Sequence, residues 1–208
     1  MTFRTPTIIR WIFLVKNMKI KPFVTDYLAR LKLILDSIDS NVISDIIDTL
    51  EQTIANKSRI YIIGNGGSSA TASHMVNDLG AGLRRRNIIN FDVVSLGDNS
   101  PVVTAIANDI GYENIFYMQM QGLINPNDVV IAISCSGDSP NIIKSVDYAK
   151  GLGCKIIGVT GFNGGYLKSI SDISFHVDAP KNQYGLVEDV HMILDHIIYS
   201  YYIQRLTQ

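Results

Sequence analysis

The run Asp128-Val129-Val130-Ile131-Ala132-Ile133 passes directly into Ser134-Cys135-Ser136-Gly137-Asp138-Ser139, and a helical pattern follows. A short apolar run without alternation is the pattern of a strand buried on both faces, as in a parallel sheet covered by helices. The serine loop then lies between the carboxyl end of a strand and the start of a helix. Backbone N–H groups are unpaired there, and the helix dipole favours an anion. Serine hydroxyls add donors, and Gly137 lets the backbone approach closely, so the loop suits a phosphate. It has no lysine and no GKS or GKT signature, which excludes a nucleotide P-loop and favours a monophosphate on a small metabolite. The same residues also suit an ordinary helix cap, for which serine is a common choice.

A second loop repeats the pattern. Arg59-Ile60-Tyr61-Ile62-Ile63-Gly64 reads as a buried strand, followed by Asn65-Gly66-Gly67-Ser68-Ser69 and a helix from about Ala70. Glycines at such a turn permit positive φ and close ligand approach. Two units of this kind predict a ligand gripped at the carboxyl ends of adjacent parallel strands.

The rest of the chain alternates in the same way. Strands are expected near 59–64, 91–96, 128–133, 155–160 and 173–178, and helices near 69–84, 101–108, 113–123, 139–152, 165–171 and 184–204. This order predicts an α/β three-layer sandwich with a five-stranded parallel sheet. Before the first strand, apolar residues from Leu28 to Ile54 recur at three- and four-residue steps, with Asp39-Ser40-Asn41 as a break or cap between two helices. Their apolar faces need a partner, either the sheet or another subunit.

At 208 residues, 47% of them hydrophobic, the chain can form one full core. A formal net charge of −1 provides no electrostatic case for nucleic acid or an acidic membrane. Cys135 and Cys154 have neither metal nor disulfide spacing, and Cys154 reads as a core residue, which fits a reduced, cytoplasmic setting. The apolar stretch Ile8 to Val15, interrupted by Arg10, falls short of the roughly 20 residues a bilayer requires, and no signal-peptide cleavage site follows it. Residues 1–21 are therefore expected to be an N-terminal extension, with Met18 an alternative start, and 22–208 a single domain that includes the early helices. Arg84-Arg85-Arg86 reads as a solvated helix end.

Titratable residues gather on two helices. His74 and Asp78 are four apart, on one face of the helix after the first glycine loop. On the last helix, Glu188 is about 60° from His191 and about 80° from His196, so either histidine can share its face. A carboxylate and an imidazole from each helix suit a Zn²⁺ site or an acid–base pair, and equally suit surface pairing. His176, in the last strand, reads as structural. Asn108 and Asp109, before Gly111-Tyr112, can cap a helix or reach a sugar hydroxyl.

Taken together, Asn65-Gly-Gly-Ser68 with His74, Asn108-Asp109-x-Gly111-Tyr112 and Ser134-x-Ser136-Gly137-x-Ser139-Pro140-Asn141 resemble the sugar isomerase (SIS) family, and within it the phosphoheptose isomerase branch. Gly158-Val-Thr-Gly161, Gly164-Gly165 and Val190-His191 followed by His196 extend the resemblance over residues 25 to 205. It implies a flavodoxin-like fold, N-terminal helices in the interface of a homotetramer, and active sites between subunits. It further implies a sugar phosphate held by Ser68, Ser134, Cys135, Ser136 and Ser139, with Asn65, Gly66, Gly67, Asn108, Asp109 and Glu188 contributing. The metal set it implies is His74, Asp78, Glu188 and His196 around Zn²⁺, with His196 chosen over His191. Asp78 and His196 would be the catalytic acid–base groups, His196 coming from a neighbouring subunit.

Three residues depart from that family's pattern: Asp78 where it has glutamate, Glu188 where it has glutamine, and Cys135 where threonine is commoner. Aspartate is shorter by one methylene, about 1.5 Å, and a misplacement of about 1 Å can cost a hundredfold in rate. The resemblance implies conversion of sedoheptulose 7-phosphate to a manno-heptose 7-phosphate through an enediol, for bacterial surface glycans. Two alternatives stand beside it: an isomerase of another sugar phosphate, and a non-catalytic SIS protein that binds the bacterial replication initiator. A sugar-phosphate-sensing regulator is discounted, since those usually carry an added DNA-binding domain.

Overall fold

The computed structural model describes residues 19–207. The expectations for the apolar stretch 8–15 and for Met18 lie outside the described residues. The chain divides into two compact units at Ser37/Ile38. In the first, helix α1 (Ile20–Asp36) buries none of its residues, and Arg30 pairs with Asp26 one turn away at 2.9 Å. Ile20 and Leu28 are among its exposed apolar residues.

The second unit begins with α2 (Ser40–Asn56), capped by Asp39, which accepts a hydrogen bond from the Asn41 N–H at 2.8 Å. The Asp39-Ser40-Asn41 break is therefore a true N-cap, and Lys57 at φ 53° ends the helix in the left-handed region. There follow β1 (Ile60–Gly64), α3 (Gly67–Met75) running into a π-helical segment (Val76–Gly82), β2 (Val93–Ser95) and α4 (Ser100–Ile110). After these come a 3₁₀ turn (Tyr112–Asn114), α5 (Tyr117–Met120), β3 (Val129–Ser134), α6 (Pro140–Gly151), β4 (Lys155–Gly161), α7 (Gly165–Ile170), β5 (Ile173–Val177) and α8 (Tyr184–Thr207).

All five strands are parallel and lie in the order β2-β1-β3-β4-β5. β1 and β3 are buried at every position, as strands covered on both faces must be. Tyr61, Ile63, Val130, Ala132 and Ile156 join Phe116, Met120, Ile142 and Val146 in one core cluster. The strand order reverses direction at β1/β3, which is where open parallel sheets place their ligand crevice. The two loops singled out in the sequence leave the carboxyl ends of those two strands.

Two elements differ from expectation. The helix expected over 113–123 is a 3₁₀ turn and one short helix, because Ile115, Phe116 and Met120 all turn into the core and Gln119 donates to the Leu96 carbonyl at 2.9 Å. The helix expected over 69–84 contains the π segment, which carries Asp78. The Arg84–Arg86 run ends that helix, with Arg86 donating to the Gly82 carbonyl at 2.9 Å. Cys154 is a core residue, and the His176 ring lies 3.0 Å from the Thr160 hydroxyl between neighbouring strands. Among the described residues no helix is long and apolar enough to cross a membrane.

Candidate active site

The loops after β1 and β3 enclose a pocket lined by Asn65, Ser68, Ile133, Ser134, Cys135, Ser136, Ser139, Tyr184 and Glu188. Its volume of about 170 Å³ is below the roughly 300–1,000 Å³ of sites that enclose a drug-sized ligand. It is sized for one end of a small molecule, such as a phosphate. No lysine or arginine lines it, so an anion there meets hydroxyls and backbone dipoles rather than a cation.

The pocket walls are held by hydrogen bonds that do not depend on a ligand. Asn65 and Asn141 exchange side-chain amide bonds at 2.9 and 2.8 Å, and the Tyr112 hydroxyl donates to Asn65 Oδ1 at 2.9 Å. Ser134 Oγ accepts the Gly137 N–H at 3.1 Å and lies 3.5 Å from Ser139 Oγ. Gly137 has φ 70°, and a Cβ there would strike the Gly164 carbonyl, so the loop needs glycine on both counts. Gly66 takes the positive φ that turns β1 into α3, and Gly67 opens the helix beside the Glu188 carboxylate. Burial, aided by the Glu188 charge, pushes the Cys135 thiol up to about 11, so it remains protonated and acts as a neutral wall.

α3 and α8 lie side by side, and their helical rise sets the spacing of what they carry. Glu188 reaches the start of α3, whereas His196, eight residues on, reaches His74. The two imidazole Nε2 atoms are 3.2 Å apart. His74 Nε2 is 3.5 Å from Asp78 Oδ2 and 3.8 Å from Asp195 Oδ2. Ligand atoms of His74, Asp78, Asp195 and His196 all lie within 4.8 Å of one another, a donor set able to hold a metal ion. Both Asp195 oxygens are buried without a hydrogen-bond donor, as a group awaiting a cation would be. Burial, and the Asp78 charge after it, pushes the Asp195 carboxyl up to about 7.

Glu188 does not join the His74 cluster; about 12 Å of α8 separates it from His196, and it lines the serine pocket instead. His196 meets His74 within one chain. Asn108 and Asp109 stand exposed at the end of α4 and do not line the pocket. His191 is fully buried, with Nε2 3.1 Å from the Thr160 carbonyl, and desolvation lowers it to about 4. Sequence reasoning missed Asp195, Tyr184 and the bracing Tyr112 hydroxyl.

A doubly wound parallel domain with a hydroxyl-lined pocket at its switch point is the class this geometry defines. The sequence profile of the SIS domain matches residues 26–161, and the chain belongs to the SIS domain family. It is 34% identical over 175 residues to a phosphoheptose isomerase of Helicobacter pylori, covering 83% of this chain and 90% of that protein. It is 36% identical to one from Geotalea daltonii, covering 74% and 81%. The solved phosphoheptose isomerase of Neisseria gonorrhoeae superposes with a TM-score of 0.78 at 25% identity, over 89% of this chain and all of that one.

Proposed function

We propose that the chain is an aldose–ketose isomerase converting sedoheptulose 7-phosphate to D-glycero-D-manno-heptose 7-phosphate. The observation that carries this reading is the pairing of an anion pocket with an imidazole–carboxylate cluster on the same two helices. Ser68 and His74 are six residues apart on α3, about 9 Å of rise. That span suits a sugar phosphate whose phosphate sits in the serine loops and whose carbonyl end reaches the cluster. The kinship with phosphoheptose isomerases supports the seven-carbon substrate.

In this reading Ser68, Ser134, Ser136 and Ser139 donate to the phosphate, fixing the far end of the substrate. Asp78, buried at the cluster's edge, takes the proton from C1 of the ketose and returns it to C2 of the enediol. His196, in the state in which its Nε2 does not hold the metal, donates a proton to O2 and accepts the O1 hydroxyl proton, so the carbonyl moves one carbon without net oxidation. Zn²⁺ held in the cluster would polarise the carbonyl oxygen as a Lewis acid. The protein works in the cytoplasm as a homotetramer, supplying heptose for a bacterial surface glycan, with the N-terminal helices in its interface and residues from 22 onward acting as one domain.

The test is NMR of sedoheptulose 7-phosphate with purified protein, with and without Zn²⁺. Aldoheptose phosphate signals are expected from the wild type, and a loss of at least about a thousandfold in kcat from Asp78→Asn with the fold intact. No conversion by folded, zinc-supplemented wild type would reject the reading and favour another sugar phosphate or a binding protein.

A further inference from the structure

We infer that Asp195 is a ligand of the divalent cation in this chain, and that Glu188 is not. The inference rests on the metal-bearing part of the proposed function. It begins with position: Asp195 is fully buried on α8, beside His196. A carboxylate there loses its hydration, and isolated buried charge is costly unless paired or bound to a metal. Neither of its oxygens receives a hydrogen bond, and the cationic candidate nearest to it is the half-exposed His74, 3.8 Å away. Asp78 is less demanding, since Asn77 Nδ2 donates to its Oδ1 at 2.9 Å.

The remaining donors complete the case. His74 and His196 turn Nε2 atoms toward each other at 3.2 Å, and Asp195 Oδ2 shares the 4.8 Å sphere with both. Two imidazoles and a carboxylate, with one position left for substrate, is a ligand set used by catalytic zinc sites. Glu188, eight residues earlier, has its carboxylate against Gly67 at the first turn of α3, where the helix dipole favours a negative charge. The carboxylates are thus divided: Asp195 for the cation, Glu188 for the wall of the anion pocket, and Asp78 left for proton transfer.

The experiment measures zinc bound per chain after dialysis, and the visible absorption of the Co²⁺-loaded protein, in wild type, Asp195→Asn, Asp195→Leu and Glu188→Ala. Neither readout depends on which sugar phosphate the site accepts, so a failed isomerase assay and a failed ligand assignment remain distinct. Asp195→Asn is expected to weaken zinc at least about a hundredfold, beyond the loss typical of an outer-shell partner. It should also remove the tetrahedral Co²⁺ bands, and Glu188→Ala should keep both metal and spectrum. The metal-free Asp195→Leu protein should melt at or above the metal-free wild type, because an unpaired buried carboxylate has gone. Stoichiometric zinc in Asp195→Asn with an unchanged Co²⁺ spectrum would overturn the inference, as would loss of the metal from Glu188→Ala alone.

Discussion

His191 and His196, five residues apart on one helix, have opposite fates. His196 is exposed and faces His74, while His191 is sealed against the sheet, its Nδ1 without a partner and its pKa near 4, with His176 adding to the depression after burial. The unfolded chain binds a proton at this position below about 6.5, and the folded chain only near 4. The His191 contribution is therefore complete above 6.5 and is lost as pH falls toward 4, at up to about 1.4 kcal/mol per pH unit. Urea unfolding at pH 7 and pH 5 should show wild type losing more stability on acidification than His191→Gln. An equal or greater loss in the variant would contradict this. The same helix shows why Asp195 escaped sequence reading. Spacing identifies faces shared with Glu188, whereas the informative signal is a carboxylate within the buried stripe Val187, His191, Leu194, Ile198 and Tyr202.

Among the elements, the serine loop is the one whose geometry most limits change. Its backbone packs on the start of α7, where the Leu167 N–H donates to the Gly137 carbonyl at 3.0 Å and the Tyr166 N–H to Asp138 Oδ1 at 2.8 Å. Gly137→Ala combines a positive φ with a collision against Gly164, so the loop must shift away from α7. A cost of roughly 1–3 kcal/mol is expected, with KM for the sugar phosphate rising at least tenfold. Steady-state kinetics with unchanged KM would show that the loop does not hold the phosphate. The parallel strands and both loops were legible in the sequence because apolar runs ending in glycine and serine carry the βαβ pattern directly. The π segment was not, since its spacing resembles an α-helix; Gly80 and Gly82, packed against Val93 and Tyr199, were its only local mark.

At the scale of the whole molecule, the open question for the sequence was what covers the N-terminal helices. α2 buries Ile43, Ile46, Ile47 and Leu50 within its unit, while α1 buries nothing. In the proposed tetramer that apolar face is covered by other subunits. Val24→Asp with Leu28→Asp is expected to lower the mass seen by light scattering to that of a smaller species, and an unchanged mass would exclude α1 from the interface. In the proposed mechanism the switch-point loops hold the phosphate while α3 and α8 present the reacting groups. The most direct test is a crystal structure of the zinc-loaded protein with the reduced heptitol 7-phosphate, which cannot isomerise. The phosphate is expected within hydrogen-bond reach of Ser68, Ser134, Ser136 and Ser139, and C1 and C2 beside Asp78 and His196. A phosphate bound elsewhere, or a carbon chain directed away from the His74 cluster, would contradict this mechanism.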